Sequence, residues 1–146
     1  MSIFNLFKSN DSDARKSYLK ELIRVAKADG HLEEREHQFI LKVGERLACT
    51  PEIIQELSAE VQQDDPDEAR QSRKHRLRLV LDLVAIMMID ESIDPKELGL
   101  CKSIAMKSGF EPEVIDDVVH LINQDVKAGA TIEQASEKVF HLYSQA

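Results

Sequence analysis

Residues 77–89 read LRLVLDLVAIMMI, a run of thirteen in which only Arg78 and Asp82 are not apolar. A helix needs about 20 apolar residues to cross a bilayer, so this run is too short to do so. Arg78 and Asp82 are four positions apart and lie on one face of a helix, where they are able to pair, while every other face is apolar. The stretch therefore predicts a central helix that is packed on nearly all sides.

Proline and glycine on both sides of this run predict further helices and no strands. Each of the four prolines follows a residue suited to a helix start, and proline at the first helical position loses no intrahelical hydrogen bond. Gly30, Gly109 and Gly129 stand where helices should end, and Thr131 to Gln134 has capping-box spacing. We predict an all-α fold of about seven helices, near residues 12–28, 33–48, 51–63, 66–89, 95–108, 112–127 and 132–144.

An internal repeat organises these helices. A shift of 61 residues aligns residues 22–57 with residues 83–118 without a gap. The identical pairs fall on apolar stripes, helix caps and turns, which are the positions that a shared fold needs: Leu22/Leu83, Asp29/Asp90, Glu36/Glu97, Pro51/Pro112, Glu52/Glu113 and Ile54/Ile115. We infer a duplicated helical unit within one domain over residues 1–146. Repeat one spans about 12–63, repeat two about 66–126, and a last helix about 132–144.

Composition limits the class of protein. A chain of 146 residues is long enough for one hydrophobic core without disulfides, and its two cysteines do not form a disulfide framework. They align with Phe110 and Ile40, which predicts that Cys49 and Cys101 are small core residues. The net charge of −8 disfavours nucleic acid and anionic membranes as partners. We expect a cytoplasmic protein without a transmembrane segment, whose partner is another protein and whose oligomeric state, monomer or homodimer, is left open.

The apolar segment from Ile3 to Phe7 is too short for a signal peptide. We expect it to fold back onto the body of the protein or to be buried in a second copy.

The candidate ligand-binding residues lie in the turn between the first two helices of each repeat. It reads ADGHLEERE at residues 28–36 and IDESIDPKE at residues 89–97. The spacing from Asp29 to Glu36 matches the second half of an EF-hand calcium loop. Position one of such a loop would be Val25 in repeat one and Ile86 in repeat two, neither of which offers a side-chain oxygen, so a standard EF-hand is excluded.

The segment VAKADGHLEERE at residues 25–36, with the amphipathic helix that follows, resembles the TerB-like domains named for the tellurite-resistance protein TerB. The resemblance extends over about residues 18–126, because the sequence of the second copy is similar to that of the first. It implies an all-helical duplicated fold of the stress-response type, with a divalent-metal or ligand role for acidic residues of the motif. These are Asp29 and Glu36 in the first copy and Asp90 and Glu97 in the second, where Glu91 departs from the usual glycine.

Two interpretations of these four carboxylates stay open. In the first they only cap helices, since Glu36 and Glu97 follow Glu33 and Asp94 by three residues, which is capping-box spacing. In the second they also hold a cation, because each continues an apolar stripe and so points toward the inside of its turn. Carboxylate ligands favour calcium or magnesium over zinc.

Other motifs are weak. The five histidines form no H-x-x-x-H pair, and neither a Gly-rich phosphate loop nor a nucleophile elbow occurs, so we expect no catalytic residues and no enzyme. A basic cluster runs from Arg70 to Arg78 and is interpreted as a solvated helix face or as a docking patch for an acidic partner. Two functions remain: a non-enzymatic, cation-responsive stress-response module, and a co-chaperone-like interaction adaptor whose acidic residues only cap helices.

Overall fold

The computed structural model describes residues 12–28, 30, 32–63, 72–89 and 93–145. Every regular element in these ranges is an α-helix, which confirms the predicted all-α class. In chain order they are α1 (Ser12–Ala26), α2 (Glu34–Arg46), α3 (Pro51–Gln63), α4 (Arg73–Met88), α5 (Pro95–Lys107), α6 (Glu113–Lys127) and α7 (Ile132–Ser144). The chain divides into two units, residues 1–72 and residues 73–146.

In the first unit, α1 packs against both α2 and α3. One stripe of α1 is buried, namely Tyr18, Leu19, Leu22, Ile23 and Ala26, at the spacing of a single helix face. On α2 the buried stripe is Phe39, Ile40 and Val43. Gly44 lets α3 approach closely, because a Cβ there would lie 2.3 Å from Cδ1 of Ile54.

In the second unit, α4 contacts α5, α6 and α7, and α7 also packs on α6. All residues of α4 from Leu79 to Met88 are buried, as is Leu77. This agrees with the apolar run that predicts a helix packed on nearly all sides. Arg78 forms an ion pair with Glu137 on α7, a partner that sequence spacing within α4 does not indicate.

The ends of α2 and α5 have the same geometry. After α2 the Cys49 amide donates to the Gly44 carbonyl at 2.8 Å, and after α5 the Phe110 amide donates to the Ala105 carbonyl at 2.9 Å. This is the 6→1 bond of a Schellman cap, which needs a left-handed residue just before the donor. Gly109 supplies it with φ of 91° and Ala48 with φ of 58°.

The helix bounds correspond at the same offset as the sequence repeat. Adding 61 to the bounds of α2, 34–46, gives 95–107, which are the bounds of α5. In each unit the first three helices contact one another. Duplication and the single-domain organisation of residues 1–146 stay predictions.

Two predicted helix starts differ from the observed ones. Ser72 is not helical and α4 begins at Arg73, so the predicted helix 66–89 is interrupted at Ser72. Serine is a favoured N-cap, and its side-chain oxygen competes for the amides of the first turn, which explains a start after Ser72. Pro112 precedes α6 instead of opening it. The first residues of the predicted helix 66–89 and the segment Ile3–Phe7 lie outside the described residues.

None of the described helices has both the length and the apolar character that a membrane span requires.

Candidate metal centre at the acidic turns

Glu36 and Glu97 are buried carboxylates in the first turns of α2 and α5. Their relative exposures are 2 % and 6 %. The first-turn neighbours Glu34 and Lys96 are exposed, so burial is specific to one position of each helix. That position continues the apolar stripe of the helix, as the sequence pattern predicts, because residues four apart lie on one face.

The two turns cap their helices differently. Asp94 precedes α5, and its Oδ1 accepts a hydrogen bond from the Glu97 amide at 2.8 Å. Glu33 precedes α2 and makes no side-chain cap hydrogen bond. A full reciprocal capping box exists at α7, where Thr131 and Gln134 bond each other's amides at 3.0 and 2.9 Å. Glu33 and Glu36 therefore have the spacing of a capping box, but the side chain of Glu33 does not make the hydrogen bond that an N-cap residue makes in one.

Asp29 and Asp90 lie outside the described residues, so the distances from them to Glu36 and Glu97 are not part of the described geometry. Gly30 is described, and its φ of 97° is the left-handed conformation that favours glycine in a tight turn. Among the residues that the structure describes, no group of three or more His, Cys, Asp or Glu side chains gathers as a metal shell would.

The ammonium group of Lys27, two residues before Asp29, is held by α3. Lys27 Nζ donates to Ser58 Oγ at 2.5 Å and lies 3.5 Å from the Ser58 carbonyl. At the same offset of 61, the second unit has Met88 and Val119 instead. The first acidic turn thus has a hydrogen-bonded ammonium group two residues before Asp29, whereas the matching positions of the second unit are apolar. Residues 31 positions apart carry no periodic signal, so sequence reasoning missed this contact.

The cysteines are buried, as their alignment with core positions predicts. Cys101 lies one turn after Glu97 on the same face of α5 and is 0 % exposed. Desolvation by burial, with a smaller contribution from the Glu97 carboxylate, raises the pKa of the Cys101 thiol far above its ordinary value. Burial also raises the pKa of Cys49, although Arg15 and Lys16 oppose the shift. Both thiols therefore stay protonated at neutral pH and are poor soft-metal ligands.

Arginines of the basic cluster are engaged within the second unit. Arg76 Nη1 donates to the Ser108 carbonyl at 2.8 Å, and the Arg73 guanidinium lies 5.3 Å from the centroid of the Phe110 ring. Arg78 pairs with Glu137 on α7. These contacts favour a structural role over the docking patch that the cluster by itself allows; Arg70 lies outside the described residues.

Exposed apolar side chains occur on the second unit. Met106 on α5 is 58 % exposed and Leu142 on α7 is 60 % exposed. An open groove beside Leu142 is lined by Glu137, Lys138 and His141 of α7 and by Gln145, the residue that follows the helix. The groove does not bring together a nucleophile, a base and an oxyanion donor, which is the arrangement that acyl-transfer catalysis requires.

Comparison with known families gives a match to part of the chain. The family model described as tellurite resistance protein TerB matches residues 2–59. The matched range contains α1, α2, the first acidic turn and most of α3, whereas Asp90 and Glu97 lie beyond it. The resemblance inferred from residues 25–36 is confirmed over this range. Neither a curated protein nor a solved structure matches the chain.

Proposed function

Since the chain contains a TerB-like domain over residues 2–59, we propose that it is a non-enzymatic stress-response module that binds divalent cations at its acidic turns. Asp29 and Glu36 hold the cation at the first turn, and Asp90 and Glu97 hold it at the second. Backbone carbonyls and water complete each shell. The cation is calcium or magnesium.

The observation that carries this proposal is the burial of Glu36 and Glu97. An ionised carboxylate loses much of its hydration when it is withdrawn from water, and it is kept in such a place only when other groups compensate its charge. Groups of the protein that interact with each carboxylate supply part of that compensation, and so does the helix N-terminus through its aligned backbone dipoles. A cation at the turn supplies more, and it explains why a carboxylate, rather than a neutral residue, occupies the buried position in both units.

The donor set favours a hard cation. Carboxylate, carbonyl and water oxygens are the usual ligands of calcium and magnesium. Zinc prefers thiolate and imidazole nitrogen, and burial raises the pKa of the Cys101 thiol, which disfavours its thiolate form. We expect weak to moderate affinity, because the ligands do not come from one continuous loop that prearranges them.

Thermal melting with calcium, magnesium and zinc tests the proposal. A ligand at about 100 times its dissociation constant stabilises a fold by roughly 2.7 kcal/mol, which is visible as a shift in Tm. We expect calcium or magnesium to raise the Tm of the wild-type chain. The double variant Glu36→Gln/Glu97→Gln keeps the size of both side chains and removes their charges, so it should fold and lose the shift.

Glu34→Gln/Glu113→Gln is the matched control, because both residues are exposed acids in first turns and the change in net charge is equal. The control should keep the full shift. The proposal fails if no cation raises the wild-type Tm, or if the shift survives in Glu36→Gln/Glu97→Gln. If the double variant loses the shift in Tm, the single variants Glu36→Gln and Glu97→Gln measure how much of that shift each turn contributes.

The alternative function is an interaction adaptor whose acidic residues only cap helices. The exposure of Met106 and Leu142 favours it, since large exposed apolar side chains are common at protein contact sites. An adaptor of this kind melts at the same temperature with and without divalent cations. The titration therefore separates the two functions.

A further inference from the structure

We propose that Ser58 controls cation binding at the first acidic turn by holding the Lys27 ammonium group on α3. Released from Ser58, the ammonium group pairs with the carboxylates of that turn and competes with the divalent cation. This inference rests on the proposed function, because it concerns the cation that Asp29 and Glu36 hold.

Lys27 directly precedes the first acidic turn, and its side chain extends to another helix. Its Nζ donates to Oγ of Ser58 on α3 at 2.5 Å and lies 3.5 Å from the Ser58 carbonyl oxygen. Both residues are half-buried, and salt screens a partly buried contact less than an exposed one. The ammonium group is therefore held on α3.

The backbone of Lys27 is part of the turn itself. The Gly30 amide donates to the Lys27 carbonyl at 2.9 Å, which closes a turn whose ends lie on either side of Asp29 in the sequence. The Cα atoms at the two ends of such a turn are less than about 7 Å apart. Because a lysine side chain has a flexible four-carbon stem, an ammonium group that leaves Ser58 has the acidic turn within its reach.

An ammonium group at the turn opposes cation binding in two ways. It pairs with carboxylates that otherwise bind the cation, and it repels the incoming positive charge. While Ser58 holds it, the ammonium group directs its hydrogen bonds to α3 instead. The contact between Lys27 and Ser58 therefore favours the bound cation, and its loss favours an internal ion pair.

The second acidic turn has no such contact. At the offset of 61, Lys27 and Ser58 correspond to Met88 and Val119, and neither of these side chains is charged. Met88 is only 2 % exposed. We therefore expect cation binding at the second turn to be independent of Ser58, so that the two turns of one chain respond differently to the same change.

Carbodiimide coupling in the absence of any divalent cation tests where the ammonium group lies. The reagent joins an amine to a carboxylate when the two groups are in contact, and mass spectrometry identifies the linked peptide. We expect a link from Lys27 to Asp29 or Glu36 in the Ser58→Ala chain, with at least three times the wild-type yield. An equal yield in both chains, or no link in Ser58→Ala, would overturn the proposal whether or not the protein binds a cation.

Isothermal titration calorimetry with calcium and magnesium tests the effect on binding. The Glu97→Gln chain keeps Asp29 and Glu36, so it reports on the first turn. Adding Ser58→Ala should weaken its cation affinity about threefold, which is the scale of one exposed ion pair. No binding to wild type would overturn the proposed function together with this inference. Binding to wild type that Glu97→Gln abolishes, or binding to Glu97→Gln that Ser58→Ala leaves unchanged, would overturn this inference alone.

Lys27→Met separates the ammonium group from any other effect of Ser58. It introduces the residue that stands at the matching position of the second unit. If the released ammonium group is the competitor, Ser58→Ala should have no effect on the affinity of a Glu97→Gln chain that also carries Lys27→Met. A threefold loss that persists without the ammonium group would show that Ser58 acts through the packing of α3, and would overturn the proposal.

Glu60→Gln is the matched control. It also removes a polar contact between α1 and α3, the ion pair with Lys20 at 3.4 Å, but it leaves the contact between Lys27 and Ser58 in place. In the Glu97→Gln chain we expect Glu60→Gln to leave the cation affinity of the first turn unchanged. A loss equal to that in Ser58→Ala would assign the effect to weaker packing of α1 on α3 and would overturn the proposal.

Discussion

The helices α1 and α4 are the first described helices of the two units and are packed differently. α1 buries one stripe and keeps Lys20 and Arg24 at half-buried positions; Lys27, just after the helix, is also half-buried, and Lys20 pairs with Glu60 on α3. The equivalent positions of α4, 61 residues on, are Leu81, Ala85 and Met88, and all three are buried. Within their units, α1 contacts two helices and α4 contacts three. The additional neighbour of α4 is α7, which the first three helices of the repeat do not include.

This comparison relates the residues of a helix to the number of helices that pack on it. Where a third helix packs, as on α4, aliphatic or thioether side chains stand at positions that carry long charged side chains 61 residues earlier in the chain. The exchange follows from the cost of burying an unpaired charge, which exceeds the cost of exposing a methylene group.

The largest expected effect comes from exchanging one of these positions. Leu81→Lys places an ammonium group where the side chain is 1 % exposed, which costs several kcal/mol and should unfold the second unit. Lys20→Leu in α1 removes a surface ion pair whose contribution is about 0–1 kcal/mol, so it should be tolerated. Circular dichroism with thermal melting measures both. If Leu81→Lys melts within a few degrees of wild type, α4 is not packed as described.

An intermediate effect is expected at the Schellman caps, which compare Gly109 with Ala48. Gly109→Ala puts a Cβ at φ of 91° and 3.0 Å from Arg76 Nη1, so we expect a loss of about 1–2 kcal/mol. Ala48→Gly relieves the left-handed strain at the matching position and should stabilise the chain by up to about 1 kcal/mol. Urea unfolding measures both changes. Effects of the same sign in the two variants would contradict the shared cap geometry.

The smallest effect is expected on the exposed faces of α2 and α5. Gly99 lies inside α5, and a Cβ there meets nothing within 4 Å, whereas the matching position of α2 is Gln38, which donates to Glu34 at 2.8 Å. Gly99→Gln should stabilise the chain by about 0.5–1 kcal/mol, because glycine is a poor helix former. Gln38→Gly should have the opposite effect. Chemical unfolding at a single pH measures the free energy of unfolding of both variants. A loss of stability in Gly99→Gln would indicate that the exposed face of α5 is in contact with another surface.

Local signals account for much of the predicted fold. Pro51 and Pro95 open helices as expected, and Gly30, Gly109 and Gly129 all have positive φ at helix ends. These predictions succeed because a proline ring or a missing Cβ restricts the backbone of its own residue, whatever surrounds it. The start of α4 is harder to predict, because Pro66 and the acidic residues after it have the pattern of a helix start, whereas Ser72 just before the observed start has no proline beside it.

The candidate site was predictable in part. The buried positions of Glu36 and Glu97 follow from the stripes of α2 and α5, because residues four apart share a helix face. Two contacts were not predictable, because each joins segments that are distant in sequence. They are the hydrogen bond between Lys27 and Ser58 and the ion pair between Arg78 and Glu137.

What the sequence by itself determined is the all-α class, most of the helix bounds, the burial of both cysteines and the resemblance to TerB. Each of these depends on the period of apolar residues, on backbone restrictions or on a short motif, all of which are local properties of the chain. Tertiary structure alone decided which charged groups meet. Arg78 pairs with Glu137, 59 residues away, because α7 lies against α4, and no spacing within one helix encodes that contact. The choice of ion-pair partner depends on which helices pack together, and packing is settled by the burial of apolar surface in the unit as a whole.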